Sequence, residues 1–78
     1  MEKTPTMKQI LKDIILIISW REMARQYFSG KSASWLYHKL DGIDGNGGET
    51  SFSDTEKEQL RNALLHLSER VKNAALSI

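Results

Sequence analysis

The last third of this chain has the fewest ways to fold. Ser53, Asp54, Thr55 and Glu56 have capping-box spacing, in which the Ser53 hydroxyl and the Glu56 carboxylate each satisfy a backbone N–H left free by the first helical turn. Asp54, Glu56 and Glu58 put negative charge at the positive pole of the helix dipole, and Arg70 and Lys72 suit the other pole. Downstream, Leu60, Leu64, Leu67, Val71, Ala74 and Ile78 recur in alternating steps of four and three. That is the spacing of a narrow coiled-coil seam, which Leu65 and Ala75 widen. A 78-residue chain with one such helix must cover the seam with its remaining residues or with another subunit. The expectation is a homodimer that meets along those six seam residues.

Upstream, Met7, Ile10, Leu11, Ile14, Ile17 and Ile18 fall at helical spacing, with Lys8, Gln9, Lys12 and Asp13 opposite. Thr4 can cap this helix and Pro5 suits its first position, so a helix is expected up to Ile18. Ile15 and Leu16 fill the other faces, which leaves its end apolar nearly all round and in need of cover on several sides. Ser19 can cap a short second helix over residues 20–28, with Trp20, Met23, Ala24, Tyr27 and Phe28 inward. Ser29-Gly30 supplies a turn. A third helix starts at Ser32 or Ala33, runs to Leu40 and stops at Asp41-Gly42. Ala33, Leu36, Tyr37 and Leu40 share one of its faces. Residues 43–52 contain the tight-turn pair Asn46-Gly47, and form either a small hairpin flanked by Ile43 and Phe52 or a plain loop. The fold expected is a single all-α domain over residues 1–78: about four helices, a central helix-turn-helix and a long C-terminal helix.

Several function classes drop out. Without cysteine there are no disulfides and no thiolate metal sites, and His38 and His66 lie far apart without a second ligand at i+3 or i+4. No metal or other cofactor is expected. The longest apolar run, residues 14–18, is far below the ~18 residues of a membrane span, and no signal-peptide pattern opens the chain. A cytoplasmic protein without membrane contact is expected. Ser34, His38 and Asp41 at i, i+4 and i+7 resemble a hydrolytic trio, but one exposed helix offers neither pocket nor oxyanion site. No enzyme and no small-molecule substrate is expected. The Asp44-Gly45-Asn46 stretch fails as a calcium loop, because Glu49 stands where glycine is required and Thr55 where the last carboxylate belongs. Trp20 and Trp35 read as core or interface anchors rather than an exposed stacking pair.

What remains is the pair of short helices in the middle. A helix-turn-helix needs a small residue where its second helix crosses the first, an apolar face to dock that second helix, and an uncrowded polar tip to enter a major groove. Ala24 meets the first demand, Leu36 and Leu40 the second, and Lys31, Ser32, Ala33 and Ser34 the third. Charge agrees: residues 19–40 carry Arg21, Arg25, Lys31 and Lys39 against Glu22 alone, whereas residues 41–58 hold six carboxylates against Lys57. A nucleic-acid surface would therefore be the middle segment, with the acidic stretch turned away.

Residues 32–42, Ser-Ala-Ser-Trp-Leu-Tyr-His-Lys-Leu-Asp-Gly, resemble the recognition helix of phage-repressor and invertase-type helix-turn-helix proteins. That resemblance implies that Ala24 is the small crossing residue, that Leu36 and Leu40 dock, and that Ser32, Ala33, Tyr37 and His38 face bases. The separation of Ala24 from Leu36 is longer than in the usual unit, so the turn differs, and Trp35 is bulky for its place. The chain also resembles a family of short, uncharacterised bacterial proteins that share a Lys-Ser-x-Ser-Trp-Leu-Tyr core, here residues 31–37, and a final capped helix. The function expected is a small regulator that reads duplex DNA in the major groove. Lys31, Ser32, Ala33, Ser34, Tyr37 and His38 would enter the groove, while Arg21, Arg25 and Lys39 hold the phosphates. The alternative is a non-catalytic protein-interaction or assembly module on the same helices, with the apolar seam and the acidic loop as working surfaces.

Overall fold

A computed structural model describes residues 6–43 and 46–78. The expected helix start at Thr4-Pro5 and the Asp44-Gly45 pair lie outside these residues. Four helices follow one another: α1 (Met7–Ile10), α2 (Trp20–Tyr27), α3 (Ala33–Asp41) and α4 (Asp54–Leu76). The domain is all-α with a long C-terminal helix.

α1 is much shorter than expected. Thr6 caps it in a full capping box with Gln9, but after Ile10 the chain tightens into successive turns, with the amides of Ile14 and Ile17 bonded three residues back at 2.9 and 3.0 Å. One cause is visible: the isoleucines at 14, 15, 17 and 18 are β-branched and crowd a regular helix. The Trp20 indole donates to the Ile15 carbonyl at 2.7 Å and ties the end of this segment to the start of α2. The all-round cover expected for this segment is incomplete: Leu11 is buried, Ile14, Ile15 and Ile18 pack partly on the core, and Leu16 (96%) and Ile17 (80%) stand in solvent.

α2 and α3 begin and end close to where their caps predict. Ser19 accepts from the Glu22 amide and Ser32 from the Trp35 amide. α3 stops at Gly42, whose left-handed φ of 79° turns the chain so that the Ile43 amide also reaches the His38 carbonyl, at 3.2 Å. Between the two helices, Gly30 takes φ 83° and the Lys31 amide closes a turn onto the Phe28 carbonyl. Residues 43–52 form less than a wing. One antiparallel bridge joins Ile43 to Glu49, the Thr50 amide bonds to the Gly42 carbonyl, and no strand forms among the described residues. Phe52, instead of flanking a hairpin, is buried in the core.

The core comprises Leu11, Trp20, Met23, Ala24, Phe28, Leu36, Leu40, Phe52, Leu60 and Ala63. α2 packs against both α3 and α4, and α1 packs against α3. Ala24 (1%) and Leu36 (0%) are sealed, so the small residue on α2 and the docking residue on α3 both lie in the core the two helices share. Full burial of a leucine side chain stabilises by roughly 1.5–3 kcal/mol. Among the described residues, no helix is long and apolar enough to cross a membrane.

Candidate nucleic-acid interface

α3 turns its docking face inward through Leu36 and Leu40 and leaves Ser34, Tyr37 and His38 exposed, at i, i+3 and i+4; Tyr37, expected on the face of Leu36 and Leu40, lies at its edge and is 47% exposed instead of packed inward. Its tip is open: Lys31, Ser32 and Ser34 are exposed and Ala33 is half-buried. The Ser32 hydroxyl already accepts the Trp35 amide, so it serves the helix cap first. Trp35 is half-buried against Phe28, with ring centroids 5.5 Å apart. Its ring carries two lysines, with Nζ of Lys31 at 5.1 Å and of Lys39 at 5.7 Å. The bulky tryptophan in the sequence motif is therefore a platform under the cation at the helix tip.

The four cations expected on the DNA side, Lys31 at the groove and Arg21, Arg25 and Lys39 at phosphates, differ in availability. Arg21 is exposed and makes no ion pair with a described residue, and Lys31, likewise without an ion pair among the described residues, lies over the Trp35 face. Arg25 is engaged by Glu22 on its own helix; the hydrogen bond from Arg25 and a second from Gln26 hold the Glu22 carboxyl below its ordinary range. Lys39 is tied down, donating to the Ser51 carbonyl at 2.8 Å and lying 3.1 Å from Glu56, with its side chain only 18% exposed. It ties α3 to the start of α4, so the phosphate role expected of it conflicts with the position the chain gives it. Asp41 pairs with Lys8 at 3.2 Å, and Ser34, His38 and Asp41 make no hydrogen bonds to one another. Among the described residues no three His, Asp or Glu side chains are placed to hold a metal ion.

The expected subunit seam on α4 divides. Leu60 is buried, and Leu64 and Leu67 pack partly on the chain's own core; Val71, Ala74 and Ile78 are exposed. Seam spacing alone could not separate these halves, because it marks one apolar face without saying how far the body of the domain extends beneath it. Ala63, buried beside Leu60, falls outside the heptad steps.

Sequence reasoning also missed a polar cluster between α2 and α4. Tyr27 Oη lies 2.7 Å from His66 Nδ1, and Arg70 donates to Tyr27 Oη and to Gln26 Oε1. The only hint was Tyr27 among the inward candidates, since nothing local links residues nearly forty positions apart.

Neither a curated protein nor a solved structure matches the chain. The resemblance to phage repressors is accordingly not reproduced by any comparison. One family model matches residues 7–78, the family described as Domain of unknown function (DUF5053), and the chain is a member of that family.

Proposed function

We propose that this protein is a small regulator that binds duplex DNA through α3, working as a homodimer. The reading rests on one observation: α3 is docked by Leu36 and Leu40 beside the sealed Ala24, while its tip and the Ser34, Tyr37, His38 face stay open to solvent. A groove-reading helix has this division of labour. Tyr37 and His38 supply donors and acceptors for base edges, and Lys31 and Arg21 are the cations free to meet phosphates. Lys31 is held at the tip by the Trp35 ring, which limits the side-chain freedom lost on binding.

The test is fluorescence anisotropy with a random duplex at two salt concentrations. With Arg21 and Lys31 of two protomers as the phosphate contacts, log K falls against log salt with a slope of about −3.5. Lys31→Ala weakens binding to all sequences and flattens that slope, whereas Tyr37→Ala and His38→Ala act on the preferred site. A flat titration at low salt removes the reading.

A second reading, an assembly module without nucleic acid, is favoured by a different observation. Beyond Arg70, Val71 and Leu76 on α4 and Ile78 after its end are exposed. Stable oligomers indifferent to duplex DNA would decide for it.

A further inference from the structure

The face of α4 that points away from the core carries a pattern of its own. Glu58, Arg61, Leu65, Glu69 and Lys72 are all exposed and follow one another in steps of three, four, four and three. At 3.6 residues per turn these five lie along one stripe, on the side opposite Leu60 and Ala63. The stripe is symmetric in spacing about Leu65 and opposite in charge: the residues seven before and seven after it are Glu58 and Lys72, and those four before and four after are Arg61 and Glu69. Leu65 itself is 59% exposed. None of the four charges forms an ion pair with a described residue, although Glu58 with Arg61 and Glu69 with Lys72 are spaced to do so along the helix.

We propose that this stripe binds a second copy of the chain, α4 against α4 and antiparallel, with the twofold axis passing between the two Leu65 side chains. In that register Glu58 is level with Lys72 of the other copy and Arg61 with its Glu69, and the symmetry gives each pair twice. A parallel arrangement puts Glu58 on Glu58 and Lys72 on Lys72, so the charges specify orientation as well as register. The stripe is open to a partner, all five of its residues being exposed. The chain as a whole exposes 6165 Å², against about 4,800 Å² for a compact monomer of its 8.9 kDa mass. The radius of gyration, 13.6 Å, is likewise above the roughly 11.5 Å of a compact chain of this length. This interface lies on the reverse of the seam that α4 uses for its own body, and it does not depend on DNA binding.

Sedimentation equilibrium of the full chain and its charge variants tests it. Wild type dimerises. Glu58→Lys or Lys72→Glu alone turns two attractive pairs into two repulsive ones and raises the dimer dissociation constant about tenfold. Combining the two substitutions brings it back to near the wild-type value. Since the chain lacks cysteine, Leu65→Cys provides a second readout: it oxidises to a disulfide-linked dimer, while Val71→Cys on the other side of the helix does not. A wild type that stays monomeric, single variants that dimerise like wild type, a double variant without rescue, or equal cross-linking at positions 65 and 71 would each overturn the proposal. Loss of duplex binding with the dimer intact would instead count against the DNA reading alone.

Discussion

Tyr27 Oη and His66 Nδ1 are 2.7 Å apart, with the two rings edge to face at a 5.6 Å centroid separation. Arg70 donates to the same hydroxyl at 3.1 Å, so the Tyr27 oxygen is shared between the guanidinium and the imidazole. This contact joins α2 to the middle of α4, just before α4 leaves the body of the domain. Tyr27→Phe keeps the ring packing and removes both bonds. Because the cluster is open to water, we expect a loss of about 1 kcal/mol, at the ordinary net value of a hydrogen bond, read from the urea midpoint. An unchanged midpoint would mean that solvent replaces both partners without cost.

The close approach of α2 and α3 makes Ala24 and Leu36 the positions least tolerant of a change in volume. Both are sealed. Ala24→Leu forces the helices apart and costs about 1–3 kcal/mol, as overpacked cores do. Leu36→Ala leaves a cavity and costs about 2–5 kcal/mol. Ser34→Ala, two residues before Leu36 on the open face, changes stability by less than about 0.5 kcal/mol. Denaturant titration of the three variants should return that order, and a tolerated Ala24→Leu would show that the two helices are not in close contact there.

Much of this fold was legible because its signals are local. Ser19, Ser32 and Ser53 cap helices where a short polar side chain precedes an apolar period, and Gly42 ends α3 where its left-handed conformation is needed. The failures come from competition that a one-dimensional pattern does not contain. Helical spacing from Met7 to Ile18 marks which residues are apolar but does not weigh the crowding of four β-branched isoleucines within five positions. The loop glycines signalled a turn correctly, yet Phe52 left the loop for the core because an aromatic ring gains more by burial than by flanking a short bridge. The candidate site divides in the same way. Exposure of Ser34 and His38 follows from the docking of Leu36 and Leu40, which periodicity reveals; Tyr37, which the same periodicity put on the docking face, is exposed at its edge. The engagement of Lys39 by Glu56 and Ser51 depends on where α4 begins in space, and charge counting could not find it.

Gly42 and Gly30 both hold positive φ, 79° and 83°, and a Cβ at either would meet nothing closer than ordinary van der Waals contact. The cost of a side chain is therefore the backbone conformation alone. Gly42→Ala and Gly30→Ala should each destabilise by about 1–2 kcal/mol, lowering the melting temperature by roughly 4–8 °C per kcal/mol in a domain of this size. Asparagine, which tolerates the left-handed region, should recover part of the loss at Gly42. A thermal scan in which asparagine is no better than alanine would point to a steric cause instead.

The pair formed by Lys39 and Glu56 gives the protein a defined acid limb. Burial pushes the Glu56 carboxyl up, but the Ser53 amide and the Lys39 ammonium together outweigh it, and the net result lies below the ordinary value of 4.5. A carboxyl whose folded pKa is depressed contributes stability above its unfolded pKa, and that contribution is lost as pH falls through the folded value. Glu56→Gln isolates the charge, because glutamine can still close the capping box onto the Ser53 amide. At neutral pH the variant should be less stable than wild type by about 1 kcal/mol, the side chains of the pair being mostly shielded from water. The difference should shrink as pH drops below about 4.5 and vanish once Glu56 is protonated in both states. A constant gap between the two stability curves from pH 7 to pH 2 would show that the substitution acts through the cap and not through the charge.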